Sequence, residues 1–132
     1  MFEVDEDTKQ INITRGNAGV LEITAEDENE NPYEFQVGDI VRFKVFKKKN
    51  CGCVELQKDV KVNEICTSVD MPLTSEDTKI GDLINKETPY WYEVELNPDT
   101  NCKTIVGFDK KGEKVFMLYP EGDEKWLKQK QR

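Results

Sequence analysis

The feature that most constrains this chain is a two-residue alternation of apolar and polar side chains, repeated in short runs. In GDIVRFKVFKK, Val41, Phe43 and Val45 fall on one side and Arg42 and Lys44 on the other. GNAGVLEITAE sets Leu21, Ile23 and Ala25 against Glu22 and Thr24, and PYWYEVELNPD sets Tyr90, Tyr92, Val94 and Leu96 against Trp91, Glu93 and Glu95. That period is the signature of a half-buried strand. Shorter strand candidates are QINIT, YEFQV, CVELQ, EICTSVDM, CKTIVGFD and EKVFMLY. In EICTSVDM the core phase reads as Ile65, Val69 and Met71, with Cys66 turned toward solvent; in CKTIVGFD, Cys102 shares a phase with Thr104, Val106 and Phe108 and is expected to be buried.

Turn chemistry separates these runs: Arg15-Gly16-Asn17, Asn31-Pro32, Gly38-Asp39, Asn97-Pro98-Asp99 and Lys111-Gly112 each supply residues suited to tight or positive-φ backbone. Strands spaced about ten residues apart without long helices between them favour an antiparallel sandwich or barrel over a parallel α/β sheet. The expected fold is therefore all-β, an immunoglobulin-like antiparallel sandwich of about seven to nine strands. One helical turn is expected near residues 74–85, where Thr74 and Asp77 resemble a capping box and Gly81 limits its length. A chain of 132 residues is read as one domain, with its core within 10–119 and a polar, basic tail over 120–132.

Composition narrows the function classes. Acidic residues outnumber basic ones 27 to 19, a net charge of -8, which disfavours nucleic acid and anionic membrane surfaces as partners. Histidine is absent, which removes the commonest general base and zinc ligand. Carboxylates are too numerous for any pair to stand out, so no catalytic residue and no cofactor are assigned and the chain is read as a non-enzyme. The start, MFEVDEDTKQ, has neither the basic nor the apolar region of a signal peptide, so synthesis in the cytoplasm is expected. Acidic residues gather at Glu3, Asp5, Glu6 and Asp7 and again at Asp27, Glu28 and Glu30, and basic ones at Lys125, Lys128, Lys130 and Arg132. Solvated termini and loops explain this, with head-to-tail association of copies as the alternative.

KKKNCGCVEL places Cys51 and Cys53 one residue apart. A structural zinc site needs a second short-spaced pair, but Cys66 lies thirteen residues after Cys53 and Cys102 thirty-six beyond that. No metal site is therefore assigned. Reduced thiols on a loop are the favoured reading, with a bound metal and a Cys51 to Cys53 disulfide as alternatives. Val54 and Leu56 are expected to resume the core alternation after this loop. The acidic DENEN begins like a calcium loop, but Pro32 occupies the glycine position and Gly38 the bidentate glutamate position.

Apolar residues on the polar phase point to a surface. Phe46 follows the phase of Arg42 and Lys44, and Trp91 that of Glu93 and Glu95. In an immunoglobulin-like sandwich the third, sixth and seventh strands are sheet neighbours, so Phe46, Trp91 and either Phe116 or Leu118 are the candidate interface. The competing reading covers this face with the helical turn or with Trp126 of the tail.

The order INITRGN, EFQVGDIVRFKVFKK, QKDVKV, MPLTSEDT and PYWYEVELNPDTNCKTIVG, over residues 11–119, resembles the small β-sandwich domain at the N-terminus of baseplate or tail proteins in phages and prophages of Gram-positive bacteria. That family includes the upper baseplate protein N-terminal domain. Gly38 and Asp39 match the turn that opens its third strand, and Val41, Phe43 and Val45 match that strand's core face. Asp77 and Thr78 match a later turn; Tyr90, Tyr92, Glu93 and Leu96 match the sixth strand, and Thr104, Ile105 and Val106 the next. Asn17 departs from the family's aspartate after Arg15-Gly16. The resemblance implies a structural adaptor that docks against other tail or baseplate subunits, or itself, within a virion tail. A carbohydrate- or cell-surface-binding sandwich is the alternative, and a thiol-dependent or metal protein built on Cys51, Cys53 and Cys66 a more distant one.

Overall fold

The structure is a computed structural model that describes residues 1–27, 29–48, 53–107 and 112–121. Among these residues there are nine strands and no helix: β1 (Phe2–Val4), β2 (Ile11–Thr14), β3 (Gly19–Ile23), β4 (Ile40–Phe46), β5 (Val54–Lys61), β6 (Val69–Leu73), β7 (Thr88–Leu96), β8 (Lys103–Val106) and β9 (Lys114–Tyr119). They form two sheets. The larger has the order β1-β2-β9-β7-β4-β5, with β8 also on β7, and the smaller is the pair β3-β6.

Alternation sets the layering. Along β4, Val41, Phe43 and Val45 are fully buried, and along β7 Tyr90, Tyr92, Val94 and Leu96 are buried, while the intervening residues stay half-exposed. These rows meet Leu21, Ile23, Val69, Met71 and Leu73 of the small sheet in one hydrophobic cluster. The Phe43 ring lies 5.6 Å from Tyr92 and 6.2 Å from Phe116, centroid to centroid. Such tilted aromatic contacts add to the area they bury.

Most pairings are antiparallel; β2 and β9 run parallel. Strand β7 is long enough to hold two partners along one edge, with Tyr92 opposite Lys114 of β9 and Val94 opposite Val106 of β8. β8 and β9 thus lie in one line along β7.

Several expectations need correction. The stretch near 74–85 makes turns and no helix: the Asp77 amide donates to Thr74 Oγ1 at 3.1 Å and the Thr74 amide to Asp77 Oδ2 at 2.8 Å, but Gly81 then takes φ 64° and the turn goes no further. YEFQV is no strand, and only Phe35 bridges, to Cys66. That bridge anchors Cys66 half-buried against the core and leaves Ile65 57 % exposed, because β6 begins only at Val69, past a bend that breaks the phase. Cys102 is exposed, since it precedes β8 in the β7–β8 turn; Phe108 lies outside the described residues. The acidic N-terminal arm contributes β1, whose Phe2 ring packs over Gly19 so closely that a Cβ there would meet it at 2.7 Å. Val54 is exposed, because an irregularity at Val45/Phe46 shifts the β4–β5 register and places Val54 opposite Phe46, leaving Leu56 to pack on the core.

Candidate functional site

The surface turned away from the small sheet carries the site. Its centre follows from two registers: Phe46 of β4 stands opposite Trp91 of β7, and Trp91 opposite Val115 of β9. Val54 of β5 extends the row beyond Phe46, and Met117 lies beside Pro89 one step along. Four strands thus place Val54, Phe46, Trp91 and Val115 side by side. Phe46, Trp91, Val115 and Met117 are half-buried and Val54 is exposed.

Phe46 and Trp91 are therefore together as expected. Phe116 and Leu118 are not part of this face: both are fully buried, on the core side of β9. EKVFMLY is apolar at five consecutive positions, so alternation cannot fix its phase from sequence. The neighbours decide it: β9 lies inside the sheet between β2 and β7, and its register puts Phe116 beside the core residues Ile11 and Tyr90. Val115 and Met117 take the outer positions, which the sequence reading missed. Lys114, at the same phase as Phe116, is buried near the strand's start, its ammonium donating to the Gly112 carbonyl at 3.2 Å.

Beyond the apolar row the same face is ionic. Arg42 donates to both Asp59 oxygens, at 2.8 and 3.0 Å, and reaches Asp99 at 3.3 Å. Lys44 pairs with Glu95 at 2.6 Å and with Glu93 at 3.8 Å. The hydrogen bond from Arg42 holds Asp59 below the usual carboxylate range against the effect of burial. Burial, then the neighbouring Glu95, push Glu93 up despite Lys44. The Cys102 thiol donates to Glu95 Oε2 at 3.3 Å, and that bond raises its pKa, the reverse of what a nucleophilic thiol needs. The face is thus divided between an apolar row and a cross-strand ion-pair ladder.

The turn over 74–81 does not cover this face. It closes one end of the core, where buried Ile80 joins the cluster, Arg15 donates to the Ile80 and Gly81 carbonyls at 3.3 and 2.8 Å, and Thr78 Oγ1 bonds Gly16 and Asn17. Trp126 and the rest of the tail beyond 121 lie outside the described residues.

The expectation of reduced thiols on the loop that carries Cys51 and Cys53 fails for Cys53, which is disulfide-bonded; Cys66 and Cys102 are free. Cys51 lies outside the described residues. Among the described residues no three histidine, cysteine or carboxylate side chains gather in a way that would hold a metal ion, and no helix is long and apolar enough to cross a membrane. Asp27 of the acidic loop spends one carboxylate oxygen on the Asn29 and Asn31 amides, at 2.8 and 3.0 Å. Comparison with protein families, with curated proteins and with solved structures finds no match.

Proposed function

We propose that this chain is a non-enzymatic, immunoglobulin-like docking domain that serves as a structural adaptor in a phage or prophage tail or baseplate, binding other tail subunits or copies of itself. The single observation that carries the docking reading is the row Val54, Phe46, Trp91 and Val115 on the outer face of the larger sheet. Aromatic residues set among aliphatic ones and bordered by ion pairs have the anatomy of a protein interface, an apolar centre with a polar rim. The immunoglobulin-like reading is supported by a sheet in which β2, β9, β7, β4 and β5 are neighbours and a second in which β3 pairs with β6, with a parallel contact between β2 and β9. The tail assignment rests on the sequence resemblance described above.

The test is light scattering on the purified protein, alone and mixed with the proteins encoded beside its gene. Charge reversal at both aromatic positions, Phe46→Glu with Trp91→Glu, is expected to abolish assembly while the thermal midpoint stays within a few degrees. Soluble sugars are expected to leave Trp91 fluorescence unchanged; saturable quenching would favour the carbohydrate-binding alternative.

A further inference from the structure

The two outer edges of the small sheet are finished differently. On β6, Pro72 has no N–H to offer, and its carbonyl accepts Lys58 Nζ at 2.6 Å. Proline and lysine are the usual guards of an exposed strand edge. A strand residue directs its N–H and C=O to the same side, so a Pro72 carbonyl held by Lys58 faces away from β3 and makes Val20 and Pro72 a non-hydrogen-bonded pair. Alternation along the ladder then turns the N–H and C=O of Val20 and Glu22 away from β6, out of the free edge of β3. Among the described residues no backbone hydrogen bond outside the strand pairs reaches either of them. This edge has neither guard.

Alongside it runs a groove of about 450 Å³, walled by Val20 and Ile23 of β3 and floored by Ile11, Tyr92, Val94 and Val106 of the larger sheet. It shares Lys9, Thr24 and Val106 with a second groove of about 790 Å³, which continues past Tyr33 and along β8. The groove opens beside the unguarded edge where Val4 and Val20 are exposed and Val106 is half-buried, while Ile11, Tyr92 and Val94 behind it are buried and the Tyr92 hydroxyl donates to the Lys9 carbonyl. Charge identifies what fits. Glu6, Glu22, Glu26 and Asp27 border the two grooves against Lys9 and Lys103, so carboxylates are in excess. The net charge of -8 also sets a second copy of this chain against the site.

We propose that this groove accepts an extended segment of another protein, added as a strand to β3, with alternate apolar side chains toward Val4 and Val106 and basic residues at its flanks. Backbone pairing supplies affinity in such strand addition, and alternate side chains supply specificity.

The probe is the capped peptide Lys-Lys-Val-Thr-Val-Thr-Val-Lys-Lys, titrated to millimolar concentration into the full chain while amide hydrogen exchange is followed by NMR. Exchange at Val20 and Glu22 is expected to slow about tenfold or more, with the edge amides of β5 unchanged. The same peptide with glutamate flanks is expected to bind at least about tenfold more weakly. Glu22→Pro, which removes one edge donor, and Glu22→Lys, which leaves the backbone intact and reverses the border charge, are both expected to weaken binding. The Phe46→Glu, Trp91→Glu variant is expected to bind the peptide normally, which separates this site from the outer face. No slowing at millimolar peptide, or slowing at β5 or β1 in place of β3, overturns the proposal. So does slowing at Val20 and Glu22 that rises with protein concentration alone, which would identify the occupant as a second copy.

Discussion

Asn97 donates from Nδ2 to Asp39 Oδ1 at 3.1 Å while its own side-chain oxygen accepts the Ile40 amide at 2.9 Å, so these two residues fasten the start of β4 to the end of β7. The other Asp39 oxygen accepts the Tyr33 hydroxyl and the Gln36 amide, each at 2.9 Å. Asn97 does this at φ 49°, a left-handed conformation that asparagine tolerates better than most residues. The clasp holds the two strands that carry Phe46 and Trp91.

Replacing Asp39 by Asn is expected to cost about 1–3 kcal/mol at neutral pH, since a charge-assisted acceptor is lost at a half-buried site. Burial pushes the Asp39 carboxyl up, but the bonds from Gln36, Asn97 and Tyr33 outweigh it and hold the folded-state pKa below the reference 3.8. A depressed folded pKa means this contribution is complete above the unfolded value and is lost as pH falls through the folded one. Urea midpoints measured from about pH 6 down to about pH 2 should therefore fall more steeply in the wild type than in the variant. Asp59 and Asp77 are also lowered, so the variant keeps a residual slope.

Thr78 is completely buried, accepting the Gly16 amide at 3.0 Å and donating to the Asn17 carbonyl at 2.7 Å. Thr78→Val keeps the shape and orphans both backbone groups, with an expected loss of about 2–3 kcal/mol; Thr78→Ser keeps the hydroxyl and is expected to retain most of the stability. Denaturant midpoints check both. A loss for Ser with little or none for Val would show that the methyl group matters and the hydroxyl does not.

The two sides of β9 make a paired prediction. Phe116→Ala removes a fully buried ring in contact with Phe43 and is expected to cost about 3–5 kcal/mol. Val115→Ala, one residue away on the outer face, is expected to cost about 1 kcal/mol or less. Comparable losses at the two positions would contradict the assigned phase of this strand.

How much of this was legible beforehand depended on whether a run contained polar residues. In β4 and β7 the lysines, arginine and glutamates mark the outer face, so the core rows and the exceptions Phe46 and Trp91 could be read directly. In β9 five apolar residues in succession carry no phase information, and only pairing with β2 and β7 settles that Phe116 is inside. Ile65 and Val54 were misassigned for a different reason: a bend before β6 and an irregular register between β4 and β5 reset the alternation, and neither has a glycine or proline at the break to announce it. The unguarded β3 edge was illegible for a third reason. Which carbonyls face outward depends on the partner strand, and Pro72 identifies the direction only once it is known to lie opposite Val20.

The most direct test of the docking face is the mass by light scattering of the wild type and of the Phe46→Glu, Trp91→Glu variant, each alone and with the proteins encoded by neighbouring genes. The wild type is expected to form assemblies, and the variant to stay at its monomer mass of 15.3 kDa with an unchanged unfolding midpoint. A folded variant that assembles as the wild type does would contradict this expectation.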